Sequence, residues 1–353
     1  MKKLGKMGIA LAMTMSMVLV GACGNNNNGG NTSPNEAKGT NAPAATEAAA
    51  DTGNNGDTSS GKKITLGFSQ VGAESGWRSA NTTSIQDSAK KAGFTLKFSD
   101  AQQKQENQIK AIRSFIQQKV DVIAFSPVVE SGWDTVLKEA KDAGIPVVLT
   151  DRAVDSKDTS LYITFLGSDF VEEGRKAGQW LLDQYKDTAE DVNIVELQGT
   201  TGSAPANDRK AGFDEIISAN AHLKVIASQT GDFTRAKGKE VMQAFLKAHK
   251  DIDVLYAHND DMALGAIQAI EAAGLKPGQD IKIISVDAVK DGMTAASEGK
   301  INFIVECNPL LGPQLMQVVQ DVVDGKTVEP RIVTEETTFT SDQAKEALPS
   351  RQY

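Results

Sequence analysis

Residues 107–152 read NQIKAIRSFIQQKVDVIAFSPVVESGWDTVLKEAKDAGIPVVLTDR, and this stretch indicates the kind of fold to expect. Apolar residues recur at helical spacing over residues 107–118, and the apolar run 120–125 that follows them predicts a strand. Gly144 stands where a second helix needs its C-cap, and residues 145–150 form another short apolar run. The stretch therefore predicts helix, strand, helix and strand in turn.

The same alternation extends on both sides of this stretch. Further strands are predicted at residues 64–69, 94–98, 161–167, 192–197, 224–228, 254–258, 281–286 and 302–306. Strands that are apolar throughout and alternate with helices are typical of parallel sheets covered by helices on both faces. About ten strands are close to the number at which one sheet splits into two. We therefore expect an α/β protein with two Rossmann-like lobes.

The N-terminus has the features of an export signal. Three lysines precede the apolar run 8–20, and small residues then lead to Cys23. This run is too short to span a bilayer as a helix. We interpret residues 1–23 as a lipoprotein signal peptide that leaves Cys23 as an acylated N-terminus. The mature protein would then be extracytoplasmic and lipid-anchored to the cell membrane.

The following segment, residues 24–60, has no Val, Ile, Leu, Met, Phe, Trp or Tyr. A segment of this composition buries too little apolar area to offset the entropy of ordering it. We interpret it as a disordered tether, which leaves the chain from residue 61 onward to form the folded part.

Charge and composition exclude several kinds of partner. The formal net charge is −9, which argues against nucleic acid because phosphates need clustered lysine and arginine. With Cys23 acylated, Cys307 is the one remaining thiol, and the three histidines are scattered without an HExxH pair. We therefore predict no metal site and no cofactor.

Motifs that would identify an enzyme are missing from the sequence. No GxGxxG follows the first predicted strand, and no GxSxG is present. Asp260 and Asp261 are adjacent and do not face each other on a helix, so we interpret them as a solvated helix start whose charge suits the dipole. We predict that the protein is not an enzyme. A sugar hydrolase that uses two carboxylates is the enzymatic alternative.

Polar and aromatic side chains follow the predicted strands, where open α/β sheets bind ligands. The residues that suggest a ligand are Trp77, Arg78, Asp151, Arg152, Arg209, Phe233, Asn259 and Asp287. A sugar suits this set because its C–H faces pack on rings and its vicinal hydroxyls pair with forked side chains. Two simpler interpretations stay open: Trp77 as a core residue, and Asp151 with Arg152 as a local ion pair.

The chain resembles the solute-binding proteins of ABC-type sugar importers, the two-lobed family that includes ribose-binding proteins. The pattern is most similar to that of galactofuranose-binding proteins. The matching blocks are GFSQVG (67–72), ESGWR (74–78), QQKQENQ (102–108), DR (151–152), VELQG (195–199), GDFTR (231–235) and YAHNDDM (256–262).

The resemblance implies a site with two walls. On the first lobe, Glu74, Ser75 and Gly76 would lie beside Trp77, which stacks on the sugar, and Arg78, which donates to its oxygens.

Asp151 and Arg152 would hold vicinal hydroxyls from the same wall. Arg209, Asn259 and Asp287 would reach in from the second lobe, Phe233 would face the ring, and Glu306 falls where ribose binders have a hinge glutamine.

The resemblance also implies how the chain divides. Residues 61–166 plus 307–333 would form the N-terminal lobe, and residues 167–306 plus 334–353 the C-terminal lobe. Chain crossings are then expected near Gly167, Cys307 and Val333.

We expect a monomeric, extracytoplasmic lipoprotein that binds a monosaccharide by hinge closure and presents it to an ABC permease. Galactofuranose is the first choice, followed by galactose, arabinose or another pentose. Ribose is disfavoured because ribose binders carry two successive aromatics where this chain has Trp77 and Arg78.

Two other roles use a similar architecture. A sugar co-receptor for a chemotaxis or sensor-kinase system is the alternative that stays open. A repressor core would need a helix-turn-helix and a basic N-terminus, where this chain has a signal peptide and an acidic tether.

Overall fold

A computed structural model describes residues 63–353. The predicted signal peptide 1–23, the tether 24–60 and Cys23 lie outside the described residues. Within residues 63–353, strands and helices alternate as predicted and form two six-stranded sheets. The expected α/β class with two lobes is confirmed.

The first sheet belongs to the lobe that contains the start of the described chain. Numbered along the chain, its strands are β1 (Thr65–Gln70), β2 (Thr95–Asp100), β3 (Val122–Phe125), β4 (Val147–Thr150), β5 (Thr164–Gly167) and β11 (Arg331–Val333). They pair in parallel in the order β11-β5-β4-β3-β1-β2. The helices of this lobe are α1 (Gly76–Lys91), α2 (Gln105–Gln117), α3 (Asp134–Asp142) and α9 (Gly312–Val323).

The second sheet has the same layout in the other lobe. Its strands are β6 (Val192–Gln198), β7 (Leu223–Thr230), β8 (Val254–Ala257), β9 (Lys282–Asp287), β10 (Phe303–Glu306) and β12 (Thr338–Thr340), in the order β12-β10-β9-β8-β6-β7. Its helices are α4 (Phe170–Gln184), α5 (Ala204–Ile217), α6 (Arg235–Ala248), α7 (Asp260–Ala272), α8 (Lys290–Ser297) and α10 (Ser341–Ala347).

Each sheet is covered by helices, as its apolar strands predict. Every residue of β3, β4 and β8 is buried. Helix α2 turns Ile112 and Phe115 toward the first sheet, and α7 buries Met262 and Ile270 against the second. Burial of these faces supplies most of the apolar stabilisation of each lobe.

Sequence patterns missed two strands, β11 and β12, each three residues long. Both lie at sheet edges and pair with one neighbour, and β12 runs antiparallel to β10. A three-residue edge strand carries too few apolar residues to show a period. Several predicted strands also begin early, because an apolar residue such as Leu161 belongs to a preceding turn.

Three chain segments cross between the lobes, after β5, after β10 and after β11. They come together through side chains. Ser168 of the first crossing donates through Oγ to Glu336 Oε1 of the third at 2.5 Å, and the backbone N–H of Asn308 in the second donates to the same oxygen at 2.8 Å.

Helices α4 and α5 approach each other through two glycines. A Cβ at Gly174 would lie 2.2 Å from the carbonyl oxygen of Arg209, and one at Gly212 would lie 2.0 Å from that of Val171. No side chain fits in so small a gap. This close approach brings Arg209 of α5 to Glu173 of α4.

We predict that Gly212→Ala lowers the free energy of unfolding by about 1 to 3 kcal/mol, because the added methyl group overpacks the contact between the helices. The loss should appear even though alanine favours a helix more than glycine does. Urea denaturation measures it. Ala211→Ser, which adds one atom on the exposed neighbouring position, is the control and should change stability little. Equal stability of Gly212→Ala and the unmodified protein would show that the helices have room.

Candidate ligand-binding site

A cavity of about 290 Å³ lies between the carboxyl ends of the strands of the two sheets. Its lining residues are Glu74, Ser75, Trp77, Arg78, Asp151, Arg152, Phe170, Pro205, Arg209, Phe233, Asn259, Asp287 and Cys307. All predicted binding residues except Gly76 and Glu306 line it.

Arg78 organises the wall formed by the first lobe. Its Nη1 lies 2.7 Å from Asp151 Oδ2, and its Nε donates to Glu74 Oε1 at 3.0 Å. Gln70 Oε1 accepts from Nη1 at 3.1 Å, and Ser126 Oγ donates to Asp151 at 2.6 Å. These bonds leave Nη2 of Arg78 without a hydrogen-bond partner within residues 63–353.

Burial and ion pairing act in opposite directions on these groups. Burial by itself lowers the pKa of Arg78, but the charges of Asp151 and Glu74 outweigh it and raise the pKa. Burial likewise works to raise the pKa of Asp151, and Arg78 and Arg152 lower it overall. Both groups are therefore charged at neutral pH and hold each other in place.

Arg152 is less completely paired than Arg78. Its Nη1 donates to the carbonyl oxygen of Val128 at 3.2 Å, and its Nη2 lies 3.7 Å from Glu74 Oε1. Its buried Nε lies 3.7 Å from Asp151 Oδ2 but makes no hydrogen bond within the described chain. Burial and the nearby charge of Arg78 lower the pKa of Arg152 to about 10. Its guanidinium lies 5.3 Å from the ring centre of Phe233, which belongs to the other lobe.

Arg209 occupies the same position on the opposite wall. Its Nε donates to Glu173 Oε2 at 2.6 Å and its Nη1 donates to the carbonyl oxygen of His258 at 2.5 Å. Nη2 is 3.9 Å from Asp287 Oδ1 and is available to a ligand. Burial raises the pKa of Asp287 well above its usual value, although Arg209 opposes this.

Asn259 and Phe233 are held by the local backbone of the second lobe. Asn259 caps α7 by accepting from the N–H of Met262 at 3.0 Å, and its amide donates to the carbonyl oxygen of Phe233 at 3.1 Å. A Cβ at Gly199 would lie 1.9 Å from the Phe233 ring, so glycine leaves room for that ring.

Trp77 combines the two roles that its sequence left open. It is 5% exposed and packs against an apolar cluster that includes Phe170 of the second lobe, and it also lines the cavity. Its indole N–H donates to the carbonyl oxygen of Cys307 at 2.7 Å. Trp77 thus joins the first-lobe wall to the second crossing.

The structure places Gly76 and Glu306 outside the lining. The N–H of Gly76 donates to Asp261 Oδ2 at 2.7 Å, which connects the lobes beside the cavity. The carboxylate of Glu306 faces the C-terminal residues and accepts from Arg351 Nη1 at 2.7 Å and from the Tyr353 hydroxyl at 2.9 Å.

The interpretation of Asp260 and Asp261 as a solvated helix start is wrong, because both are buried. Asp260 accepts from Ser285 Oγ at 2.5 Å and from the N–H of Val289 at 2.8 Å, and burial raises its pKa to about 7. Asp261 faces the start of α1 in the other lobe. A contact between residues 185 positions apart leaves no local pattern in the sequence.

Sequence reasoning did not select Phe170, Pro205 or Glu173 as site residues. Phe170 and Pro205 line the cavity from the first turns of α4 and α5. Phe170 follows the crossing after β5, and Pro205 follows β6. The signal that could have identified them is this position just after a strand. Glu173 reaches the site through Arg209, and only the packing of α4 on α5 reveals it.

The cavity thus offers fixed polar groups that the protein has not paired. Arg78 Nη2, Arg152 Nε and Arg209 Nη2 are donors that make no hydrogen bond within residues 63–353, and the Asp287 carboxyl group accepts none there. Arg152 Nε and Arg209 Nη2 lie only in longer ion-pair contacts, 3.7 Å from Asp151 Oδ2 and 3.9 Å from Asp287 Oδ1. Rings of Trp77, Phe170 and Phe233 lie among them. Buried polar groups are normally hydrogen-bonded, so this set indicates a site for a small polar ligand.

Two α/β lobes, three crossings and a polar cavity between the lobes define a two-lobed ligand-binding protein of the type I periplasmic kind. The Periplasmic binding protein domain matches residues 66–327, and the chain belongs to this family. The resemblance found in the sequence is confirmed. Members of this family bind solutes outside the cytoplasm and are not enzymes, which also confirms the prediction that this chain is not one.

Relatives within the family extend the comparison. The chain is 51% identical over 292 residues to the galactofuranose-binding protein YtfQ of Escherichia coli K12. This match covers 82% of this chain and 91% of that protein. A Mycobacterium smegmatis structure in complex with β-D-fucofuranose is 64% identical, has a TM-score of 0.81, and covers 82% of this chain and 95% of its own.

A third relative is the arabinose transporter component of Shewanella sp. ANA-3, solved with α- and β-L-arabinofuranose. It is 50% identical with a TM-score of 0.79, and the match covers 82% of this chain and 96% of that one. Among residues 63–353, no helix combines the length and the apolar character that a membrane span requires.

We predict that Asp151→Ala and Arg78→Ala each lower the free energy of unfolding by about 3 to 5 kcal/mol, since each takes the nearest partner from a buried charge. The contacts that remain, Arg78 with Glu74 and Asp151 with Arg152, replace that partner only in part. The double variant should lose less than the sum of the two. Chemical denaturation of the four proteins measures the coupling.

The exposed pair of Lys138 and Asp142 is the matched control, with its nitrogen and oxygen 3.0 Å apart. Alanine variants there should change the unfolding free energy by about 0.5 kcal/mol or less. Equal effects at the two pairs would contradict the buried pair's structural role.

Proposed function

We propose that this chain is the sugar-binding component of an ABC importer and that it binds a monosaccharide in its furanose form, with galactofuranose as the first choice. Binding takes place in the cavity between the lobes. The importer's membrane permease then receives the sugar from the ligand-bound protein, which acts as a monomer.

The observation that carries the proposal is the set of unpaired polar groups on both walls. A sugar hydroxyl both donates and accepts, so one polyol can pair with Arg152 Nε, Arg209 Nη2 and the Asp287 carboxyl group. Arginine suits this use because two of its nitrogens can be fixed by the protein while the third faces the ligand. The rings of Trp77 and Phe233 supply flat apolar contact for the C–H faces.

The furanose form is supported by the relatives. Three relatives bind β-D-fucofuranose, galactofuranose and L-arabinofuranose. These sugars share a five-membered ring and differ in its substituents. All three are at least 50% identical to this chain over 82% of its length. We infer that these binding proteins select their ligands by ring form more than by the identity of the sugar.

Hinge closure is the proposed mechanism. Residues 61–166 plus 307–333 would move against residues 167–306 plus 334–353. In the described structure the lobes touch beside the cavity: Glu130 accepts through Oε2 from Asn207 Nδ2 at 2.5 Å, and its N–H donates to the carbonyl oxygen of Gly202 at 2.9 Å. Since each wall holds part of the unpaired set, a ligand gains its full set of hydrogen bonds only when the lobes meet, and so favours the closed form.

We predict that D-galactose and L-arabinose raise the melting temperature of the protein and that the bound sugar is a furanose. The ring form can be read from the anomeric ¹³C signal of sugar labelled at C1. Asp287→Asn should weaken binding about tenfold or more, because the carboxyl group is replaced by an amide that matches hydroxyl donors less well.

Asp183→Asn on the exposed face of α4 is the control and should bind as the unmodified protein does. A bound signal that is entirely pyranose would contradict the ring form. Absence of binding to every monosaccharide tested would contradict the function.

Lipid anchoring is the second part of the proposal and rests on residues 1–23. We predict that Cys23→Ser moves the protein from the membrane fraction to the soluble extracytoplasmic fraction, since acyl chains supply the membrane affinity. Fractionation and metabolic labelling with a fatty acid measure the change. Cys307→Ser is the control and should stay labelled and membrane-bound, and a Cys23→Ser protein that stays with the membrane would disprove acyl anchoring.

A further inference from the structure

The three crossings meet at a group of side chains that does not line the cavity except through Cys307. Glu173, Cys307 and Glu336 each place an oxygen or the sulfur within 4.8 Å of the others. Ser168 completes the group, with its Oγ 3.4 Å from Cys307 Sγ. We call these four residues the crossing cluster.

Glu173 is the member that reaches the ligand site. Its Oε2 accepts from Arg209 Nε at 2.6 Å, and Arg209 lines the cavity. Its Oε1 is buried and has no hydrogen-bond partner in residues 63–353 when both glutamates are taken as ionised. A buried acceptor without a donor is costly, so a donor should face it.

Glu336 is the group that can supply this donor. Its Oε1 already accepts from Ser168 Oγ at 2.5 Å and from the N–H of Asn308 at 2.8 Å. A carboxyl oxygen of Glu336 lies within 4.8 Å of one of Glu173, and its Oε2, which makes no hydrogen bond within residues 63–353, can carry a proton. A carboxylic acid is a stronger donor than the Cys307 thiol, which is the other group in reach.

We propose that Glu336 is a positioning residue for the ligand site: it keeps a proton, donates a hydrogen bond through it to Glu173, and so fixes the carboxylate that holds Arg209. The ligand-binding part of this inference rests on the proposed function. The shared proton itself does not.

The charges around the cluster agree with one proton between the two carboxyl groups. The ionisable groups around it are Arg209 and Asp208 from α5, Asp169 just before α4, Lys176 from α4, Tyr256 from β8, Arg331 from β11, Asp287 from β9, Cys307 after β10, and Tyr353. Of the cations, Arg209 bonds to Glu173, whereas Lys176 donates to the backbone carbonyl oxygen of Glu336.

Burial and the charge of Glu173 raise the pKa of Glu336 to about 9. Burial also raises the pKa of Glu173, although Arg209 opposes this, and it raises that of the Cys307 thiol well above its usual value. One guanidinium therefore balances one carboxylate, and the second carboxyl group stays protonated at neutral pH.

A divalent cation is the other occupant that two carboxylates and a thiol can hold. The proton fits better because Arg209 already occupies one oxygen of Glu173, and one oxygen of Glu336 already accepts two hydrogen bonds. The experiment below separates the two.

Protonation of Glu336 is linked to closure of the lobes, and this linkage determines whether ligand affinity rises or falls with pH. Opening the lobes admits water to the crossings and lowers the pKa of Glu336 toward that of a solvated glutamic acid. Closure then takes up a proton at any pH between the open-state value and about 9. Ligand affinity should therefore fall as pH rises through this interval, by at most about tenfold per pH unit, and level off above it.

The test compares the full chain with Glu336→Gln, whose amide keeps a donor for Glu173, and with Glu336→Ala, which removes it. Calorimetry with D-galactose and L-arabinose at pH 7 to 9.5 gives the affinity. Infrared spectra at pH 8 without sugar show whether a protonated carboxyl group is present.

We expect a protonated-carboxyl band in the difference spectrum between the unmodified protein and Glu336→Gln. The affinity should fall with pH in the unmodified protein but stay within about twofold in Glu336→Gln, and it should be about tenfold weaker in Glu336→Ala at pH 7. Asp287, Asp260 and the other titrating groups are common to all three proteins, so the difference isolates Glu336. Asp183→Asn, on the exposed face of α4, should keep both the band and the slope.

Three results would overturn the proposal: no protonated-carboxyl band in the difference spectrum at pH 8, the same pH slope in Glu336→Gln as in the unmodified protein, or a loss of affinity in EDTA that Zn²⁺ restores. If neither sugar binds, the proposed function fails, and the infrared band still decides whether Glu336 holds the proton.

Discussion

The site depends on three buried arginines whose charges must be balanced within the protein. Arg78 is balanced by Asp151 and Glu74, and Arg209 by Glu173. A buried charge without a partner costs several kcal/mol, so the carboxylates and the elements that carry them are as necessary as the arginines. Because these bonds form within each lobe, each wall is already organised before the lobes meet, and ligand binding does not have to order the side chains.

How far the sequence could predict this arrangement depends on how local each signal is. Buried parallel strands such as β3 and β4 are apolar throughout, so their position was predictable, as were the polar residues that follow them. The edge strands β11 and β12 were not, because three residues show no period. The contact between Gly76 and Asp261 depends on how the two lobes face each other, and no local pattern encodes that.

Backbone strain occurs at three of the residues that line the cavity. Asp151 and Phe233 have φ values of 65° and 59°, and Asp287 has 118°. Residues other than glycine rarely adopt these backbone conformations. Asp287 is the last residue of β9, Asp151 directly follows β4, and Phe233 lies in the short loop after β7. Surrounding packing holds them there, for example Gly199 beside the Phe233 ring. Local rules are thus broken where a side chain must be aimed at the cavity, which is why propensity alone would misjudge these turns.

The balance of charge also determines what kind of ligand the cavity favours. An anionic ligand would gain most from arginines whose charge is free, but here Arg78 and Arg209 are already paired, and Asp287 adds another acidic group. A neutral polyol loses nothing from this balance, since it uses single donors such as Arg209 Nη2 and leaves the ion pairs intact. A phosphorylated or acidic sugar would have to compete with Asp151 and Glu173 for the same guanidinium groups. The arginines therefore act as directional hydrogen-bond donors, and the geometry selects a neutral sugar even though the cavity is lined by charged residues.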